Sequence, residues 1–175
     1  MKAWAFIGCL ALAGAAVADP APRPHLVTRV EATDAAANRT GIVRFFVTND
    51  GDSTAYTGKN QLPTVNEDGK LRNPIMKVTR GDGTPLTYFG IFDEGSSGPE
   101  VIEPGTTRTY EVDIARNFDI SAGLHRIQFD SFLYFDQPAE HRDAATMFIS
   151  DKSNTVEVWF TNAAGKPSVV RPVIE

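Results

Sequence analysis

The 175 residues contain one cysteine, Cys9, and it lies in the apolar N-terminal segment. From Asp19 onward there is no thiol, which excludes disulfides, thiolate metal sites and thiol nucleophiles from the bulk of the chain. The sequence also lacks a His-Glu-x-x-His pair and a Gly-x-Ser-x-Gly elbow. Its one glycine-flanked serine pair, Gly95-Ser96-Ser97-Gly98, has neither the lysine nor the following helix of a phosphate loop. No apolar run is long enough to span a bilayer. Basic residues are few: 17 Lys and Arg stand against 22 Asp and Glu, a formal net charge of −5 at pH 7. With no dense cationic patch, the chain is unsuited to a phosphate backbone, and nucleic acid is set aside as a partner.

What is present begins with an export signal. Lys2 supplies a minimal positive region, Ala3 to Val17 a short apolar region, and Ala16-Val17-Ala18 the small-x-small pattern of a cleavage site. Cleavage before Asp19 is expected, leaving a secreted or periplasmic protein. Phe6-Ile7-Gly8-Cys9 suggests lipidation, but only Lys2 to Gly8 precede it, so simple export is the expected route. Residues 19–24 (DPAPRP) read as an extended spacer, 25–162 as one β-sandwich domain, and 163–175 as a flexible tail.

The domain is written in strands. In the run from Val101 to Phe135, Tyr110, Val112 and Ile114 alternate with Thr109, Glu111 and Asp113, the period of a half-buried strand. After the Ala122-Gly123 turn, His125, Ile127 and Phe129 alternate in the same way, and the two strands are expected to be neighbours. Further strands are predicted at Leu26–Val30, Ile42–Thr48, Thr54–Thr57, Ile75–Thr79, Leu86–Phe92, Ala145–Ile149 and around Val156, Val158 and Phe160. Turn chemistry separates them at Asn49-Asp50-Gly51-Asp52 and Gly81-Asp82-Gly83. Seven to nine short strands without helical periodicity predict an all-β, immunoglobulin-like antiparallel sandwich. Gly58 to Arg72 and Asp136 to Asp143 read as long polar connections, and Asp93 to Pro99 as a mobile loop.

A resemblance emerges between Gly41 and Phe132. Its landmarks are Val47-Thr48-Asn49-Asp50-Gly51-Asp52, Leu62-Pro63-Thr64, Leu71-Arg72-Asn73-Pro74 and Gly83-Thr84-Pro85-Leu86-Thr87-Tyr88-Phe89-Gly90. Ile102-Glu103-Pro104-Gly105-Thr106, Asn117-Phe118-Asp119-Ile120 and Gly123-Leu124-His125-Arg126-Ile127 follow in order. This succession resembles the β-sandwich domain that precedes the catalytic domain in deuterolysin-type and peptidyl-Lys zinc metallopeptidases. The zinc helix of that family is absent, so the resemblance implies its accessory domain and not its activity. It further implies a peptidase as the partner, covered or assisted in folding by this domain. His125 departs from the Tyr that such domains often place at this corner.

Each candidate for chemistry has a plainer explanation. Glu140-His141-Arg142-Asp143 could gather metal ligands, but Arg142 competes among them and a solvated acidic loop accounts for the pattern. His125 falls on the core face and reads as a corner histidine bonded to backbone. Carboxylates such as Glu111, Asp113 and Asp130 lie on outward strand positions. No catalytic, cofactor or metal residues are assigned. The expected function is non-catalytic binding of a protein, with a peptidase preferred. The alternative is an envelope, carbohydrate or protein-binding module using an exposed aromatic face. Asn60, Leu62, Pro63, Leu71 and Arg72 on the first long connection, with Tyr134, Phe135 and Trp159, are the candidate contact residues.

Overall fold

The computed structural model describes residues 21–32, 41–93 and 98–161. The expected leader, the Thr33–Asn38 loop and the tail from residue 163 lie outside these residues. Ten strands follow in chain order: β1 (Leu26–Ala32), β2 (Ile42–Asn49), β3 (Ala55–Gly58), β4 (Met76–Arg80), β5 (Pro99–Ile102), β6 (Thr107–Asp113), β7 (Gly123–Phe129), β8 (Leu133–Phe135), β9 (Met147–Ile149) and β10 (Thr155–Phe160). They form three antiparallel sheets in the orders β1-β2-β6, β10-β7-β4 and β5-β3-β8-β9. The fold is an all-β antiparallel sandwich.

Alternation decides which face each strand buries. Val43, Phe45 and Val47 of β2 are buried while Arg44 between them is exposed, as a period of two requires. The buried faces of the two three-stranded sheets meet where Phe45 of β2 sets its ring edge against Phe129 of β7, centroids 5.9 Å apart. Burying side chains of this size stabilises the fold by roughly 1.5–3 kcal/mol each. The seam between β1 and the segment leading into β10 is closed by side chains: the Thr28 hydroxyl donates to the Asp151 carbonyl at 3.2 Å, and Asn154 bonds Val30 twice. Asn154 accepts the Val30 N–H at 2.9 Å and donates to the Val30 carbonyl at 3.0 Å, doing for β1 what a neighbouring strand would do.

The third sheet is built from the connections at one end of the sandwich. The β2–β4 connection contributes β3, the β4–β6 connection β5, and the β7–β10 connection both β8 and β9. Asn49 fastens it at the root: its Oδ1 accepts from His25 and Gly51 N–H groups, and its Nδ2 donates to the Ser53 and Ile102 carbonyls. Gly51 is required there, since a Cβ would lie 2.4 Å from the Arg23 carbonyl oxygen.

Two expectations are corrected. β6 and β7 are not neighbours: β6 pairs with β2 and β7 with β4 and β10, on opposite layers. A one-turn 3-10 helix at Ile114–Arg116, N-capped by Asp113, redirects the chain between them. Leu86–Phe92 is also not a strand. Its Tyr88 hydroxyl lies 2.7 Å from the Leu71 carbonyl and 2.9 Å from the Ile91 carbonyl and shares its one proton between them, folding the segment back on itself. The segment's main chain bonds singly to Val78, Asp119, Asn117 and Leu71. Burial pushes the Tyr88 phenol up to about 12.

Candidate functional site

The four-stranded sheet has one face on the core and one toward solvent. Ala55, Thr57, Ile102 and Tyr134 point inward and are buried. An aromatic series holds this inner face to the sandwich: Phe129 stacks on Phe132 at 5.3 Å, Phe132 lies 6.4 Å from Tyr134, and Tyr134 stacks on Phe148 at 5.5 Å. The outer face lacks the polar side chains expected of a solvated antiparallel sheet. Val101, Tyr56, Phe135 and Met147 stand opposite one another across all four strands. Two residues along, Leu133 faces Ile149. Leu133, Met147 and Ile149 are exposed, Ile149 to 65 %. Directly opposed residues share a face, so these side chains form one apolar platform.

The Asp136–Asp143 connection places a cation on it. The Arg142 guanidinium sits 4.4 Å from the Phe135 ring centroid, and its Nε donates to the Gln137 carbonyl at 3.4 Å. No ion pair among the described residues includes Arg142. The Asp136–Asp143 connection that carries it contains a short 3-10 turn, Ala139–His141, and a second, Ala144–Thr146, follows. Asp143 caps the second turn by accepting the N–H groups of Ala145 and Thr146, so the edge strand starts at Met147 and not at Ala145.

The residues singled out from sequence divide into three groups. Leu62, Pro63 and Leu71 are buried and belong to the core, which corrects their reading as contact residues on an extended connection. Asn60 and Arg72 are half-buried and face inward contacts: Asn60 donates to the Asp93 carbonyl at 3.4 Å, and Arg72 pairs with the Asp93 carboxylate at 2.8 Å. The whole segment is held by Asn117, which accepts the Leu71 N–H at 2.7 Å and donates to the Gly69 and Asp113 carbonyls. Tyr134 is only 2 % exposed and points into the core, so it cannot offer its ring to a ligand. Phe135, its neighbour, lies on the outer platform.

Trp159 is 59 % exposed, on the outer face of β10-β7-β4 opposite Leu124. That face also holds a shallow groove of about 240 Å³ lined by Lys77, Thr79, Gly83, Arg126, Gln128 and Thr155. Arg126 is committed there to Glu157 at 2.9 Å and to the Gly81 carbonyl at 2.7 Å. His125 is a corner histidine bonded to backbone, its Nδ1 3.0 Å from the Gly123 carbonyl and its Nε2 buried with no partner among the described residues. Burial pulls its pKa below the ordinary histidine value, and Arg80 adds to that shift. His25 lies far from His141 in sequence and pairs with Asp50 at 2.6 Å. Among the described residues no three His, Cys, Asp or Glu side chains gather as a metal site would need.

Sequence reasoning did not name Tyr56, Val101, Met147 or Ile149 as contact residues, and it met Leu133 only as a neighbour of the aromatic cluster and Arg142 only as a cation within the Asp136–Asp143 connection. Their signal is register: once Phe135 pairs with Met147 and Tyr56, the face of each follows. No protein-family model matches the chain, and no curated protein matches it. No helix among the described residues is long and apolar enough to cross a membrane.

Proposed function

We propose that the protein is an exported, non-catalytic module that binds another protein through the outer face of β5-β3-β8-β9. The observation that carries this reading is the unbroken apolar row Val101–Tyr56–Phe135–Met147, with Leu133 and Ile149 beside it. Val101, Tyr56 and Phe135 are half-buried while Leu133, Met147 and Ile149 are exposed, and apolar side chains left side by side in this way mark interaction sites. The platform offers apolar contact and the Arg142 guanidinium, carried on the connection that also holds Asp136, Glu140, His141 and Asp143. The order β1-β2-β6 facing β10-β7-β4 supports an immunoglobulin-like topology. The landmarks shared with the peptidase accessory domain support a secreted peptidase as the partner class.

The test is retention of secreted proteins from the source by the immobilised domain and by its Ile149→Lys variant, read by mass spectrometry. The reading expects a peptidase retained by the first and lost by the second. Equal retention on both would overturn it.

A second reading rests on Trp159. Its exposed indole shares a face with the groove of β4, β7 and β10, whose lining offers the Thr79 and Thr155 hydroxyls, the Gln128 amide, Lys77 and Arg126, and together they have the chemistry of a saccharide contact. Quenching of indole fluorescence by soluble glycans, lost in Trp159→Ala, is the result that would favour it.

A further inference from the structure

β9 is the last strand of its sheet, and its direction of hydrogen bonding can be read from the bonds on either side. The Ser150 N–H donates to the Phe132 carbonyl at 3.0 Å, and the Asp136 N–H donates to the Thr146 carbonyl at 3.1 Å. Antiparallel pairs alternate between bonded and non-bonded, so Tyr134 and Phe148 exchange bonds between these two. Leu133 and Ile149, and Phe135 and Met147, are then non-bonded pairs. The main-chain groups of Leu133 turn the other way, toward β3, where its carbonyl accepts the Thr57 hydroxyl at 2.9 Å. By the same alternation, the N–H and C=O groups of Met147 and Ile149 point off the open edge of the sheet.

Protein edges of this sort are usually guarded by charge, proline or a covering loop. Here β9 is short, but residues 144–150 contain no charged side chain and no proline, and no further strand among the described residues pairs with it. Beside it lie the apolar platform and, over Phe135, the guanidinium of Arg142, which is in no ion pair among the described residues.

We propose that the open edge of β9 accepts an extended, apolar, carboxylate-bearing segment of a partner protein as an added strand. The inference rests on the platform reading above and specifies its occupant. Main-chain bonds to Met147 and Ile149 fix the added strand in register. Its alternate side chains extend the platform past Met147 and Ile149. Its carboxylate meets Arg142, a cation already partly desolvated by the Phe135 ring, where a charge-assisted bond is strongest. Asp136, Glu140 and Asp143 share the connection with Arg142, so the preference for a carboxylate rests on this guanidinium lying over Phe135 and in no ion pair among the described residues.

The test selects random peptides displayed on phage against the immobilised folded protein and measures the affinities of the recovered peptides. Ile149→Pro removes an N–H that faces outward, so β8–β9 pairing is retained while strand addition is blocked. Arg142→Gln removes the cation. Recovered peptides are expected to alternate apolar residues, to carry Asp or Glu, and to bind either variant about tenfold or more weakly than the unaltered protein. Independently of any variant, the Met147 and Ile149 amides of the unaltered protein should gain protection from hydrogen exchange when a recovered peptide is added. No recovered peptide, equal affinity for all three proteins, or no gain in protection overturns the inference. Binding lost in Leu133→Lys but kept in Ile149→Pro retains the platform and removes the edge. A dimer of this chain that Ile149→Pro dissociates would make the occupant a second copy and contradict the proposal.

Discussion

Leu133 on β8 stands directly opposite Ile149 on β9, and both side chains point away from the core into solvent. An apolar pair in that position contributes little to folding and leaves hydrophobic surface exposed. Replacing Ile149 by Lys should therefore change unfolding stability by no more than about 0.5 kcal/mol while abolishing partner retention. Chemical denaturation and the retention assay, run on the same preparation, check both halves.

One residue along, the opposite behaviour is expected. Tyr134 is buried, stacked on Phe148, and its hydroxyl lies 3.4 Å from the Leu26 N–H. Tyr134→Ala should destabilise the protein by roughly 3 kcal/mol, measured by urea unfolding, because a cavity opens where the third sheet joins the sandwich. A loss as small as that of Ile149→Lys would show that the register of β8 differs from the one described.

Asn117 is fully buried and bonds three main-chain groups. Asn117→Ala removes the partner of the buried Leu71 N–H and of the Gly69 carbonyl, at about 1–3 kcal/mol for a group left unsatisfied in the interior. The expected outcome is a loss of at least about 2 kcal/mol together with new proteolytic cleavage between Lys59 and Arg72. Unfolding curves and limited proteolysis of the variant report these separately.

His125 predicts a pH dependence. Burial disfavours its charged form, so the unfolded chain takes up a proton below about pH 6.5 that the folded protein resists. Its contribution to stability is full above that pH and falls as the pH drops through the window between the ordinary and the depressed values. Arg80, its partner position on β4, adds to the resistance. The slope of unfolding free energy against pH between about 7 and 5 should be shallower in His125→Gln than in the unaltered protein. Identical slopes would remove His125 from the account.

Much of the sandwich was legible because its strands alternate cleanly. Val43, Phe45 and Val47, or Ile127 and Phe129, can face only one way, and their strands fall close to the predicted bounds. Leu133-Tyr134-Phe135 offers no such contrast: three apolar residues in a row leave the choice of face to tertiary pairing, which is why Tyr134 and not Leu133 was expected at the surface. The segment from Gly58 to Arg72 misled for another reason. Its two leucines are far apart among polar residues, and the side chain that folds them inward, Asn117, lies 46 residues from Leu71. Leu86–Phe92 has strand composition, but the Tyr88 hydroxyl and its two carbonyl partners turn it back before a ladder can form.

The most direct measurement is carbene footprinting of the protein alone and bound to the partner it retains from its source. Protection of Leu133, Met147 and Ile149 on binding, with labelling of Trp159 unchanged, is the predicted result. Protection of Trp159 with Met147 and Ile149 still fully labelled would contradict the account and place the working surface on β10-β7-β4.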